Sequence, residues 1–304
     1  MSTLIILQQM AVIAILVGVG IMMYKRGMVD DDTSKRLSAI VIDVCNPALV
    51  MSCILTGDIK ATHQELLTAV GVAVIIYGIL CGLGVLIPKL IRVPDIEQKY
   101  YNLMTVYTNV GFIGIPVGKA VLSDTGMLYV VVFNVMFCLF FYTHGIQVLG
   151  GKKEKVKPSK LLSPGTIMSL LTLAVFWFDI SLPDILGNSI VYVGNATVFL
   201  SMSLLGISLA KAEFREALKE KSIWPYILVR MLLLPVLLAY VLRALRCSED
   251  MVQAFCLMVS MPVANLPLIQ AEKTGENTRI LSQGIMVTTV MSFLTITIVM
   301  SVVL

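Results

Sequence analysis

Apolar residues fill the chain in about ten long stretches, separated by short polar connectors that carry turn and charge signals. The stretches run roughly 3–24, 37–56, 66–88, 101–122, 126–149, 163–181, 188–210, 223–245, 251–271 and 280–304. A membrane-crossing helix needs about 20 apolar residues, so the pattern predicts an all-α membrane protein of ten transmembrane helices. The fourth and ninth stretches differ from the rest, because each carries prolines and small or polar residues in mid-span. The first starts by Leu4 without a basic leader and is too long for the apolar core of a signal peptide. It reads as the first membrane helix.

Composition narrows the class. The chain has 304 residues, 58% hydrophobic and 14% charged, with a mean hydropathy of +0.90. Soluble domains are about 45–50% apolar and about 25% charged. A soluble enzyme, a disordered chain and a nucleic-acid binder are thereby excluded, and the connectors leave no room for a soluble domain. Cys45, Cys53, Cys81, Cys138 and Cys256 lie inside apolar stretches, where cysteine acts as a small hydrophobe; Cys247 lies near a segment end. No C-x-x-C or metal spacing occurs, and no cofactor is implied.

Charge then orients the chain. The connectors after spans one, three, five, seven and nine hold 18 of the 23 basic residues. The other side has Lys60, Lys119, Arg243 and Arg246, and Arg230 lies within span eight. The positive-inside bias places the richer side in the cytoplasm and both termini outside. The run from Lys152 to Lys160 reads as a stop-transfer loop before it reads as a site for anionic lipid.

Two five-helix halves joined by one cytoplasmic loop must have opposite topology. The expected division is 1–149, a linker 150–162 and 163–304. Shifting the fourth span by 151 residues lays Asn109 on Ser260, Gly111 on Pro262, Gly114 on Asn265 and Pro116 on Pro267. Matched Gly/Pro interruptions in two inverted halves point to a transporter's binding site. Prolines there break each span into half-helices, tolerable at mid-membrane only beside a protein-lined or watered cavity. Half-helix N-termini carry partial positive charge and free N–H groups, which suit an anion.

The run Asn109-Val-Gly-Phe-Ile-Gly-Ile-Pro116, with Met261-Pro-Val-Ala-Asn-Leu-Pro267, resembles the auxin efflux carrier family, which includes plant PIN-type exporters and bacterial malate and malonate permeases. The resemblance covers nearly the whole chain. It implies a fold like bile-acid symporters and sodium/proton antiporters, with spans four and nine broken and crossing. Spans one, two, six and seven would form a scaffold that usually dimerises, and the others a moving transport domain. It also implies that the substrate carboxylate sits at the crossing, on Asn109 and its counterpart Asn265, with Asn134 where PIN-type members carry a polar amide. The long cytoplasmic loop of plant members is missing, so regulation by kinases is not implied.

Other polar residues lie within the spans. Asp43 sits about 10 Å deep, with Asn46 three positions on and Pro47 next. A carboxylate there either takes up a proton during transport or forms a structural ion pair, with Arg230 at similar depth as the candidate partner. Arg230 alternatively snorkels. His144 reads as a packing residue, Lys119 and Asp124 as rim charges, and Gln283 and Thr289 as site-lining or helix-packing residues. Gly206-x-x-x-Ala210 is a weak close-packing face.

The expected function is secondary transport of a small organic anion, a mono- or dicarboxylate, by an elevator-type movement. Asn109, Gly111, Asn134 and Asn265 would line the site, while Pro116, Pro262 and Pro267 maintain the breaks. For a monoanion, an inside-negative potential of about 100 mV favours export by about 2.3 kcal/mol, so import needs a coupled proton or sodium ion. The alternative is a non-transporting lipid or metabolite sensor on the same fold. H-E-x-x-H, G-x-S-x-G and phosphate-loop motifs are absent, which argues against an enzyme or a primary pump. No repeated charged ring suggests a channel.

Overall fold

The computed structural model describes residues 3–150, 163–211 and 217–303, with the side chains of 3–5 left aside. All of the expected linker except Gly150, with Lys152 to Lys160, and Arg215 therefore lie outside the described residues. Twelve helices account for nearly all of the rest. They are α1 (Thr3–Lys25), α2 (Asp31–Leu55), α3 (His63–Leu90), α4 (Asp95–Val106), α5 (Val110–Val121) and α6 (Asp124–Gly150). After the linker come α7 (Pro164–Trp177), α8 (Asp184–Lys211), α9 (Ile223–Ala244), α10 (Glu249–Ser260), α11 (Asn265–Lys273) and α12 (Arg279–Val303). Seven of them, α1, α2, α3, α6, α8, α9 and α12, are long and apolar enough to cross a membrane. The protein is a multi-pass, all-helical membrane protein.

The helix starts are written locally. Asp30 accepts from the Thr33 amide to begin α2, and Thr62 with Glu65 forms a reciprocal capping box on α3. Ser123 caps α6, and Ser163 caps α7 with Pro164 in its first turn.

Three helices, α2, α5 and α9, contain a π turn that ends two residues before a proline. Asn46 N–H reaches back five residues to Val41, Ile115 to Val110 and Leu234 to Val229. Each donor directly precedes a proline: Pro47, Pro116 and Pro235. A proline ring collides with the carbonyl four residues back in an α-turn, and the wider turn relieves that collision. A fourth π turn, Phe141–Gly145 in α6, has no proline after it.

Helices α1, α2, α7 and α8 pack on one another, as do α3, α4, α6, α9, α10 and α12. The α1–α8 contact is the tightest. A Cβ on Gly20 would fall 2.0 Å from the Ser203 carbonyl oxygen, and one on Gly206 2.0 Å from that of Val17. In lipid, where no hydrophobic force separates helix from solvent, small residues of this kind supply association through close backbone contact. Helix α6 is the inner element: 83% of its apolar window is buried, against 28% for α1. Phe133 and Phe137 of α6 meet the rings of Tyr77, Phe255 and Tyr107. Ile15, Leu67, Ile75, Ile185 and Leu237 stay exposed and form the apolar exterior a bilayer would cover.

Candidate functional site

Helices α4 and α10 both stop in mid-protein, and the chain between them and α5 or α11 is extended. The two breaks touch. Asn109 N–H donates to the Pro262 carbonyl at 2.7 Å and Ala264 N–H to the Tyr107 carbonyl at 3.0 Å, an antiparallel bridge that pairs Thr108 with Val263. The breaks therefore run antiparallel, with Thr108 opposite Val263. Pro262 lies in its break, but Pro116 and Pro267 lie inside α5 and α11. The first break has no proline at all. It is made by Tyr107, in an extended conformation, and by Asn109, whose side chain starts the next helix.

Several orphan backbone groups at the breaks find partners. Asn109 Oδ1 accepts from the Phe112 amide at 3.2 Å, and its carbonyl accepts from Gly114 at 2.8 Å. Thr108 Oγ1 donates to the Met258 carbonyl at 2.9 Å, and Thr288 Oγ1 accepts from Val263 N–H at 3.2 Å. Arg230 crosses behind: its Nε donates to the Thr105 carbonyl at 2.6 Å and its Nη1 to the Val259 carbonyl. The arginine is 1% exposed. Its expected pairing with Asp43 is not formed, because Asp43 is on an exposed face of α2 and Arg230 is held by carbonyls.

A cavity of about 760 Å³ opens at the crossing. Asn46, Asn109, Gly111, Asn265, Gln283 and Thr289 line its inner part, with Phe112 and Phe137 as apolar wall. Asn46 Nδ2 donates to the Gly111 carbonyl at 2.9 Å, and its Oδ1 is buried without a partner. Sequence reasoning grouped Asn46 with Asp43; the structure groups it with Asn109. Ser34, Ser38, Ser208 and Ser282 add hydroxyls to the lining, which also includes Lys211 and Arg279, exposed at the ends of α8 and α12. Those serines were missed. The signal was the four-residue spacing of Ser34, Ser38, Ile42 and Asn46. No carboxylate lines the cavity among the described residues.

Asn134 is near the cavity without lining it. It is buried and donates to Ser169 Oγ at 3.1 Å. Arg230, Asp43, Pro116, Pro262 and Pro267 do not line it either. His144 accepts a packing role, with its Nδ1 2.9 Å from the Tyr107 hydroxyl, and Lys119 pairs with Asp124 at 3.4 Å. Among the described residues no group of histidines, cysteines or carboxylates could hold a metal ion.

A crossing of two helix breaks beside an open cavity is transporter geometry, and the comparisons decide the family. The family described as membrane transport protein matches residues 5–300. The chain belongs to that family, the auxin efflux carriers. An uncharacterized transporter of Methanocaldococcus jannaschii is 24% identical over 299 residues, covering 94% of each chain. Membership makes this chain a membrane transporter and not an enzyme. As an auxin efflux carrier family member it carries, in Asn109–Pro116 and Met261–Pro267, the two segments that form its crossing.

Proposed function

We propose that the protein is a secondary transporter of a small organic anion, a mono- or dicarboxylate, working by elevator-type alternating access. One observation carries the reading: two half-helix N-termini, Asn109–Phe112 and Ala264–Leu266, face one cavity that contains basic but no acidic side chains among the described residues. Each N-terminus presents about half a positive charge. The Asn265 side chain is exposed to that cavity and Ala264 provides no capping side chain, so the α11 amides are available to a carboxylate.

Ten spans follow if α4 with α5, and α10 with α11, each count as one broken crossing and α7 as a short one. Contacts between connectors support that alternation. Lys211 pairs with Asp31, Lys99 with Glu276 and Arg279 with Glu220, all on the expected cytoplasmic side. Ser123 bonds Asp250, and the Asp58 amide bonds Asp124, on the other. The ends of α8 and α12 at Lys211 and Arg279 are then cytoplasmic, the termini are outside, and the plasma membrane is the setting. Helices α1, α2, α7 and α8 act as the scaffold and dimerisation element, with the remaining helices as the moving domain.

The test is thermal stabilisation of the purified chain by a panel of carboxylates, followed by flux of any hit in proteoliposomes. A ligand at 100 times its Kd adds about 2.7 kcal/mol to the folded state. A stabilising acid that is also moved across the bilayer supports transport. Stabilisation without flux favours the sensor, and a panel with no stabilising acid sinks the anion assignment.

A further inference from the structure

Helix α4 ends at Val106 and α10 at Ser260, so two helix C-termini converge behind the crossing as the two N-termini converge before it. Each C-terminus carries about half a negative charge on its unpaired carbonyls, and two together carry about one. In transporters with broken helices such carbonyl ends hold the coupled sodium ion or proton. Here the carbonyls of Thr105 and Val259 are both taken by one side chain, Arg230. A guanidinium stays ionised in proteins, so it supplies a permanent unit of positive charge to that position. We propose that Arg230 is a tethered cation built into the crossing, filling the place of a coupled cation so that the anion site is complete without one.

Three further observations fit. No carboxylate is paired with Arg230 among the described residues, so the helix ends are its counter-charge. Burial of a full charge at this depth is costly unless it is compensated, and two half-charges compensate it. Arg230 does not line the cavity, so it acts on the ligand through the crossing and is a positioning residue. On the N-terminal side the two helix ends sum to about one positive charge, which a single carboxylate neutralises. Under the transport reading, on which this consequence rests, each cycle moves the charge of the anion alone.

The assignment is tested with sodium itself, without a substrate. Purified full-length protein is unfolded thermally in about 150 mM sodium chloride and in the same concentration of choline chloride. Wild type and Arg230→Lys are expected to unfold at the same temperature in both salts, within about 1 °C. Arg230→Gln vacates the carbonyls and is expected to gain about 2 °C or more in sodium over choline. Sodium stabilisation of the wild type overturns the proposal, and that arm stands even if the glutamine variant fails to fold. A folded glutamine variant indifferent to sodium overturns it too. Failure of the carboxylate panel would instead remove the anion assignment and leave this result standing.

Discussion

The two breaks share a shape and differ in how their helix starts are finished. At the first, Asn109 caps α5 with its own side chain, Asn46 holds the Gly111 carbonyl, and Tyr107, Thr108, Asn109 and Val110 are buried, with Gly111 and Phe112 half-buried at the cavity. At the second, Ala264 stands at the cap position with no side-chain oxygen, and Asn265 is exposed to the cavity. Ala is among the poorest N-cap residues, so α11 keeps its amides unsatisfied by protein. One break is a finished structural joint and the other an open valence. The difference divides the two asparagines that the family motif treats as a pair: Asn109 has a structural duty as well as any ligand contact, and Asn265 has only the cavity.

The largest expected effect separates them directly. Asn265→Ala should weaken binding of the acid found by the panel at least tenfold, about 1.4 kcal/mol, and leave the ligand-free unfolding temperature unchanged. Asn109→Ala should also lose the cap and destabilise the ligand-free protein by about 1 kcal/mol. Equal ligand-free stability of the two variants, read by thermal unfolding, would erase the distinction. Next, Thr288→Val removes the hydroxyl that accepts from Val263 N–H and strands a buried donor in the second break. A loss of about 1–3 kcal/mol is expected, seen as a lower unfolding midpoint.

Ala264→Ser tests the open valence from the other direction. A serine there can accept from the Leu266 amide, since Pro267 has none to give, and should stabilise the ligand-free protein by about 0.5–1 kcal/mol. The same bond withdraws an amide from the ligand, so affinity should fall severalfold by titration. Stabilisation with unchanged affinity would show that the α11 amides do not bind it.

The smallest effect is on pH. A hydrogen bond from Lys99 holds the Glu276 carboxyl below its ordinary value of 4.5, and one from Arg243 does the same for Glu249. A depressed carboxyl stabilises the fold fully above its unfolded pKa and loses that contribution as pH falls through the folded one. Both pairs are partly exposed, so each contributes at most about 1 kcal/mol after screening by solvent. The midpoint should be flat from neutral pH down to about 4.5 and decline below it, less steeply in Lys99→Gln.

Much of this was legible in the residues. Length and hydropathy marked most apolar segments to within a few positions, because a bilayer imposes its thickness on any crossing helix, although α2 and α4 begin six residues before the expected starts at 37 and 101. Asn109, Gly111, Pro262 and Asn265 marked the crossing, because interrupted backbone needs caps and small residues. The register of the two breaks was not legible. It is set by the main-chain bonds Asn109 N–H to the Pro262 carbonyl and Ala264 N–H to the Tyr107 carbonyl, which any residues with a free N–H and carbonyl could make. The carbonyl partners of Arg230 were not among the alternatives of pairing with Asp43 or snorkelling, since a backbone carbonyl leaves no trace in a sequence. Asn46 was placed on the face of Asp43 by its spacing of three, which assumes an unbroken α-helix between them.

The direction Asn46 faces follows from the π turn Val41–Cys45. In an unbroken α-helix each residue advances about 100°, so twelve residues from Ser34 to Asn46 would leave the two about 120° apart around the axis. The wider turn absorbs one residue without advancing the spiral, and the remaining eleven bring Asn46 back to within about 20° of Ser34. A proline at position 47 thus acts as a phase corrector. It turns a polar spacing of four, which would wind off the cavity wall, into a straight line of hydrogen-bonding groups running from Ser34 to the crossing.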